Sequence, residues 1–201
     1  RMSYDACAVG NHEFDKGLDW LAEASGHAGF PLLAANYAVR NTPLNDVVRK
    51  FAVIERNGIK TGIFGLGIRL EGVVKKELFG NVQHRDPVIW ADGMVNSLRN
   101  YHRCDYVICL SHLGYSYPDK QIDDVKLASK VNGIDLIIGG HTHTFLDQPV
   151  TVPTPDGGKT IITQAGHSGI RLGRIDLEFS EGGPVVKRAV QYVIGAEGSL
   201  L

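Results

Sequence analysis

The sequence predicts an α/β fold in which mixed β-sheets are flanked by helices. Up to residue 138, short apolar runs alternate with segments of helical length, which is the pattern of an α/β chain. Beyond that point, short β-type runs are separated by turn residues at 155–158 and 182–184. No internal repeat or long linker divides the sequence, so we expect residues 1–201 to form a single domain.

The composition is that of an ordinary folded protein and excludes several kinds of partner. The 201 residues carry 21 Lys and Arg against 22 Asp and Glu, so a net charge of −1 gives no electrostatic reason to expect nucleic acid or an anionic membrane. No apolar stretch approaches the about 18 residues that a transmembrane helix needs. The three cysteines include no CxxC pair, so a disulfide framework is not expected.

Several of the predicted helices and turns follow from local features of the sequence. The interval 16–25 carries Leu18 and Leu21 at helical spacing and is closed by Gly26. Asn57-Gly58 suits a type I′ turn and predicts a hairpin, and Pro87 suits the first turn of a helix. The predicted helices are 16–25, 87–101 and 118–131. The predicted strands are 6–9, 30–35, 51–56, 60–66, 106–110, 134–138, 150–152, 160–164, 172–179 and 185–193, the last of them forming a β-meander.

Three predicted strands are each followed by residues that can bind a metal. The strand at 6–9 leads into Asn11 and His12, the strand at 106–110 into His112, and the strand at 134–138 into His141 and His143. Because the carboxyl ends of parallel strands meet at one edge of a sheet, we expect these five side chains to converge there. Imidazole nitrogens and a carboxamide oxygen suit Mn, Fe, Co, Ni or Zn rather than calcium.

Two features of the histidine pattern stay open in the sequence. If residues 141–143 form a regular strand, His141 and His143 point to the same side and bind one metal. If these residues form a loop, the two histidines are able to reach two different metals. His167 follows another predicted strand and either borders the same cleft or is an ordinary surface residue.

Three segments resemble motifs of the calcineurin-like metallophosphoesterase superfamily: GNHE at 10–13, SH at 111–112 and GGHTH at 139–143. AVGNHEFD at 8–15, FPLLAAN at 30–36, and QAG at 164–166 followed by LGRIDL at 172–177 resemble its 5′-nucleotidase branch. The resemblance implies a layered sandwich and hydrolysis of a phosphoric monoester, foremost a nucleoside 5′-monophosphate. Two alternatives remain: a cyclic-nucleotide phosphodiesterase or sugar-nucleotide hydrolase of the same superfamily, and a metal-binding fragment that is inactive as it stands.

The resemblance also implies roles for individual residues. His12 would be the catalytic histidine at the leaving-group oxygen, and Asp15 would orient its imidazole. Relatives of this branch are commonly exported, so a periplasmic or cell-surface parent is expected. The implied ligands of two divalent metal ions (Zn, Mn, Co or Fe) are Asn11, His112 and His141 for one ion and His143 for the other.

Some family motifs lie outside this sequence. In the family, an Asp-x-His motif and a Gly-Asp motif precede GNHE, whereas ten residues precede Asn11 here. We therefore expect a domain that lacks its N-terminal strands and the C-terminal nucleotide-recognition domain, with at most one well-ligated metal ion. Missing strands would expose sheet edges, so we also expect self-association.

Overall fold

A computed structural model describes residues 3–180 and 183–195, and it confirms the α/β class. The strands are β1 (Cys7–Ala8), β2 (Leu32–Leu33), β3 (Tyr37–Ala38), β4 (Val48–Arg49), β5 (Phe51–Arg56), β6 (Ile59–Gly67), β7 (Gln83–His84), β8 (Tyr106–His112), β9 (Leu136–Ile138), β10 (Val150–Pro153), β11 (Lys159–Thr163), β12 (Arg171–Ser180) and β13 (Gly183–Val193). The helices are α1 (Leu18–Gly26), α2 (Lys76–Phe79), α3 (Pro87–Asn96) and α4 (Asp124–Ala128). A 3₁₀ turn spans His12–Phe14, and a π-helical turn at Ser97–Tyr101 continues α3.

The largest sheet has six strands in the order β10-β11-β9-β8-β6-β5. Its inner strands β6, β8, β9 and β11 are parallel, and the antiparallel strands β5 and β10 close its two edges. The main apolar core is built on this sheet, where Phe64, Cys109 and Ile137 are fully buried together with Leu98 and Leu127. The parallel order brings the ends of β8 and β9 to the same edge.

A second, parallel sheet with the order β1-β2-β4 lies against the first. The two sheets approach closely, because the Ala35 N–H donates to the Gly65 carbonyl (2.7 Å) and a Cβ at Gly65 would lie 2.1 Å from the Leu33 carbonyl oxygen. The expectation that all five candidate residues meet at the edge of one sheet is therefore wrong. Asn11 and His12 follow a strand of this second sheet, and the other histidines come from the six-stranded sheet.

The hairpin between β5 and β6 is confirmed. Arg56 pairs with Ile59, and Asn57 and Gly58 have φ angles of 53° and 78°. β8 is longer than predicted, so that His112 is the last residue of the strand rather than part of the following loop.

Two of the predicted helices have different bounds. α1 starts after Gly17, whose φ is 83°, and includes Gly26 instead of ending before it. The predicted helix at 118–131 shrinks to α4 because the Asp123 carboxylate accepts the N–H groups of Tyr117 and Lys126. These bonds fold the preceding segment back as a loop and cap the helix at its first turn.

The predicted C-terminal meander is wrong. β10 and β11 pair within the six-stranded sheet, whereas β12 and β13 form a separate two-stranded antiparallel sheet. β3 and β7 form another two-stranded sheet. Within residues 3–180 and 183–195, no helix combines the length and apolarity needed to cross a membrane.

Candidate active site

The chain turns directly after β1, and this turn carries Asn11 and His12. The Gly10 N–H donates to Glu13 Oε2 (2.6 Å), and the Phe14 N–H donates to the Asn11 carbonyl (3.2 Å). The Phe14 side chain is fully buried and anchors the turn in the core. As a result Asn11 is buried and His12 is exposed.

Asn11 lies between two histidines. Its Oδ1 is 2.9 Å from Nε2 of His112 and 3.0 Å from Nδ1 of His141. The two imidazole rings meet edge to face, with 5.1 Å between their centroids. Three donor atoms from distant parts of the sequence therefore converge on one small region.

The approach of His112 to Asn11 requires a glycine at position 10. A Cβ on Gly10 would lie 2.6–2.8 Å from three atoms of the His112 ring, closer than nonbonded atoms can come. The imidazole therefore packs directly on the backbone of the turn that carries Asn11.

Both histidines of this cluster are uncharged at neutral pH. Burial, followed by the effects of His141, His12 and His143, lowers the pKa of His112 to about 4. The pKa of His141 is also lowered, by burial and then by His143 and His12. Uncharged imidazoles keep an unprotonated nitrogen, which a metal ion requires of a histidine ligand.

His12 and Asp15 form a pair at the protein surface. Nδ1 of His12 is 2.9 Å from Oδ2 of Asp15, and the two side chains are 75% and 61% exposed. Because the carboxylate engages Nδ1, the Nε2 atom on the opposite edge of the ring stays accessible to a bound molecule.

Among the described residues, the ring of His143 contacts the ring of His167 and makes no ring contact with His112 or His141. The centroids of the His143 and His167 rings are 5.0 Å apart, and the centroid of the His167 ring lies 5.5 Å from that of Phe145. His141 and His143 have φ angles of 71° and 55°, so the GGHTH segment is a loop and not a regular strand. The case in which both histidines point to one metal from a strand is thereby excluded.

Gln164 holds the GGHTH loop in place, a role that its position in the QAG segment does not reveal. Its side chain is buried, Nε2 donates to the Gly140 carbonyl (3.0 Å), and Oε1 accepts the Thr144 N–H (2.5 Å) and the Thr142 hydroxyl (3.3 Å). The available signal in the sequence is a polar residue directly after a buried strand.

The donor set around Asn11 fits a first-row divalent metal ion. Within residues 3–180 and 183–195, no group of three His, Cys, Asp or Glu side chains could hold a metal by itself, so a metal bound here would need the Asn11 oxygen as its third donor. Atoms bound to one ion at about 2.1 Å in octahedral geometry lie about 3 Å apart. The distances of 2.9 and 3.0 Å from Asn11 are those of hydrogen bonds, and they are also compatible with this spacing.

Known proteins resemble the chain over most of its length. The family model of calcineurin-like phosphoesterases matches residues 2–145. The chain is 32% identical to the trifunctional nucleotide phosphoesterase protein YfkN of Bacillus subtilis, over 92% of this chain and 14% of that protein. It is 31% identical to the snake venom 5′-nucleotidase of Crotalus adamanteus, over 92% of this chain and 33% of that protein.

Solved structures show the same relationship. A 5′-nucleotidase precursor from Thermus thermophilus superposes with a TM-score of 0.85 and 29% identity, covering 94% of this chain and 39% of that chain. The chain spans no more than a third of the length of either of the two curated relatives named above. These matches confirm the resemblance to the 5′-nucleotidase branch, and the family match over residues 2–145 shows that the chain belongs to the calcineurin-like phosphoesterase family.

Proposed function

We propose that residues 1–201 form one catalytic domain of a metal-dependent phosphoric monoester hydrolase, in the first place a 5′-nucleotidase. The observation that carries the proposal is the meeting of Asn11 Oδ1 with nitrogens of His112 and His141 beside the His12–Asp15 pair. The nucleotide substrate is supported by relatives whose names are 5′-nucleotidase and nucleotide phosphoesterase.

In this proposal, Asn11, His112 and His141 hold one divalent ion (Zn, Mn, Co or Fe), and His143 contributes to a second. Such an ion polarises the phosphate ester and acidifies water. The two clustered histidines bind it without first losing a proton, because they are already uncharged at neutral pH. No Asp or Glu of the described residues hydrogen-bonds to the cluster, so this chain alone is expected to hold at most one ion tightly.

His12 and Asp15 serve the departing group. Asp15 accepts the Nδ1–H of His12, which fixes the orientation and the tautomer of the ring. Nε2 then donates a proton to the leaving-group oxygen while the phosphorus–oxygen ester bond breaks and the oxygen of water bonds to phosphorus. One proton of that water stays on the phosphate, and the other is released to solvent, from which His12 regains a proton. The products are inorganic phosphate and an alcohol such as a nucleoside.

Phosphate release from AMP in the presence of Mn²⁺, Co²⁺ or Zn²⁺ tests this function. We expect metal-dependent release by the wild-type chain and its loss in His12→Ala. Bound metal without release would contradict hydrolysis by this chain and favour a metal-binding fragment. Faster hydrolysis of a cyclic nucleotide or a sugar nucleotide than of AMP would replace the 5′-nucleotidase by one of the two related activities.

We further propose that the parent protein works in the periplasm or at the cell surface. The support is a relative named for snake venom, which is a secreted fluid. Cell fractionation of the source organism tests this location, and recovery of the protein with cytoplasmic markers alone would contradict it.

A further inference from the structure

We propose that Asp124, the first residue of α4, is a positioning residue that supports the two segments carrying His112 and His141 from inside the protein. Asp124 touches neither substrate nor metal in this scheme and acts through the segments that it holds. The inference rests on the proposed function, because those two histidines matter most if they are metal ligands.

Asp124 is a fully buried acid whose carboxyl oxygens complete no well-aligned hydrogen bond, although the Ser111 hydroxyl lies close to them. Its side chain has no exposed surface, and neither carboxyl oxygen has a partner at hydrogen-bonding geometry among the described residues. The adjacent buried acid, Asp123, differs because it pairs with Lys126 and caps α4. Burial of an unpartnered carboxyl group is unfavourable, so its place in the fold needs a reason.

On one side, the carboxyl group lies against the start of the GGHTH loop. A Cβ on Gly139 would lie 2.2 Å from Oδ2 of Asp124 and 3.0 Å from Nε2 of Gln164. Asp124 and Gln164 therefore flank the same residue, two positions before His141. Any side chain at position 139 would displace the acid from this contact.

On the other side, Asp124 faces the end of β8. The buried Ser111 hydroxyl is the group that favours its ionised form, and Ser111 directly precedes His112. The Leu113 N–H donates to Ser111 Oγ (3.1 Å), and the Asp124 N–H donates to the Gly114 carbonyl (2.8 Å). Asp124 thus joins the end of β8 to the GGHTH loop through its side chain and its backbone.

The protonation of Asp124 agrees with a bridging role. Burial is the main cause that raises its pKa to about 8, and the neighbouring Asp123 raises it further. The pKa values of Cys109 and Tyr117 are raised, first by burial and then by Asp124, so both side chains are uncharged at neutral pH. An uncharged carboxyl group both donates and accepts hydrogen bonds, so it can contact both segments without placing a negative charge next to the histidine cluster.

Three substitutions separate positioning from simple stability. Asp124→Ala removes the group, Asp124→Asn keeps its shape and uncharged polar character, and Leu127→Ala removes a fully buried apolar neighbour on the same helix. The readouts are the imidazole nitrogen–proton NMR signals of His112 and His141 in metal-free protein and the Mn²⁺ affinity by calorimetry. We expect Asp124→Ala to shift both sets of signals and to weaken Mn²⁺ binding at least about tenfold.

In Asp124→Asn, we expect the histidine signals and the Mn²⁺ affinity to stay at their wild-type values. Leu127→Ala is expected to lower the melting temperature without changing the histidine signals or the Mn²⁺ affinity. Unchanged histidine signals in Asp124→Ala, or equal shifts in Leu127→Ala, would overturn the proposal. If Asp124→Ala does not fold, displaced histidine signals in Asp124→Asn overturn it as well. A wild-type chain that binds no Mn²⁺ contradicts the proposed function instead, and the metal-free signals still decide the role of Asp124.

Discussion

The carboxamide oxygen of Asn11 lies 2.9 Å from Nε2 of His112, although 101 positions separate the two residues in the sequence. Asn11 follows β1 of the three-stranded sheet, and His112 ends β8 of the six-stranded sheet. The contact therefore exists only when the two sheets pack against each other. Formation of the candidate metal site and assembly of the fold are for this reason coupled.

Asn11 is the residue whose replacement tests the metal site most directly. Asn11→Ala removes one of three converging donors, so we expect the affinity for Mn²⁺ to fall at least about tenfold. Asn11→Asp keeps an oxygen and adds a negative charge, and it is expected to bind Mn²⁺ at least as tightly as the wild type. Titration calorimetry measures all three proteins, and equal affinities of wild type and Asn11→Ala would show that Asn11 is not a ligand.

His12 and Asp15 should affect the rate of hydrolysis without affecting metal binding. We expect His12→Ala to lower kcat for AMP by about 10²–10⁴-fold and Asp15→Asn by about 10–100-fold. Mn²⁺ affinity should stay at the wild-type value, because neither side chain hydrogen-bonds to the Asn11 cluster. Steady-state kinetics and calorimetry on the same samples provide the test. A loss of Mn²⁺ affinity as large as the loss of kcat would contradict the assigned roles.

Gly10→Ala tests the close packing of His112 on the turn. The added Cβ would lie 2.6–2.8 Å from the ring, so the ring must move away from Asn11. We expect a free energy of unfolding lowered by about 1–3 kcal/mol and weaker Mn²⁺ binding. The control is Gly93→Ala on α3, where a Cβ meets nothing within 4 Å. It should stabilise the protein by about 0.5–1 kcal/mol and leave Mn²⁺ binding unchanged, and the same behaviour in Gly10→Ala would argue against the packing.

Much of the secondary structure is predictable because its causes are local. The Asn57-Gly58 turn sets the hairpin, and Pro87 begins α3 after the N-cap Asp86. The short α4 is not predictable in the same way, because the Asp123 carboxylate caps it through Lys126 and also accepts the Tyr117 N–H, which keeps the preceding segment out of the helix. The division of the C-terminal strands between two sheets depends on long-range pairing, which the period of apolar residues does not specify.

The candidate site is predictable in the positions of Asn11 and the histidines. Those positions follow from a local rule, since each of these residues stands at or after the end of a strand. The rule does not show that β1 belongs to a different sheet from β8 and β9. It also does not show that Gln164 and Asp124 support the GGHTH loop, because both act on residues that are far away in the sequence.

The edge of β1 predicts self-association. Within the described residues β1 pairs with β2 alone. The N–H groups of Cys7 and Val9 donate to the carbonyls of Pro31 and Leu33, on the β2 side. The Ala8 N–H therefore faces the open edge, where another strand can add. We expect dimers or larger species that increase with concentration in sedimentation velocity, and fewer of them in Ala8→Pro, which lacks the outward donor. A wild-type chain that stays monomeric at every concentration would contradict this expectation.

Asp124 should make the stability of the protein fall as the pH rises. Its pKa is about 8 in the folded protein and 3.8 without the fold, so between these values the acid is ionised only in the unfolded chain. Unfolding then releases a proton, and the free energy of unfolding decreases by up to about 1.4 kcal/mol per pH unit. Asp124→Asn cannot titrate and should lack this component. Urea unfolding of both proteins at several pH values between about 5 and about 7 isolates the effect, because every other titrating group is shared. We expect the stability of Asp124→Asn relative to the wild type to increase with pH. A difference that does not depend on pH would mean that Asp124 is ionised in the folded protein to the same extent as in the unfolded chain.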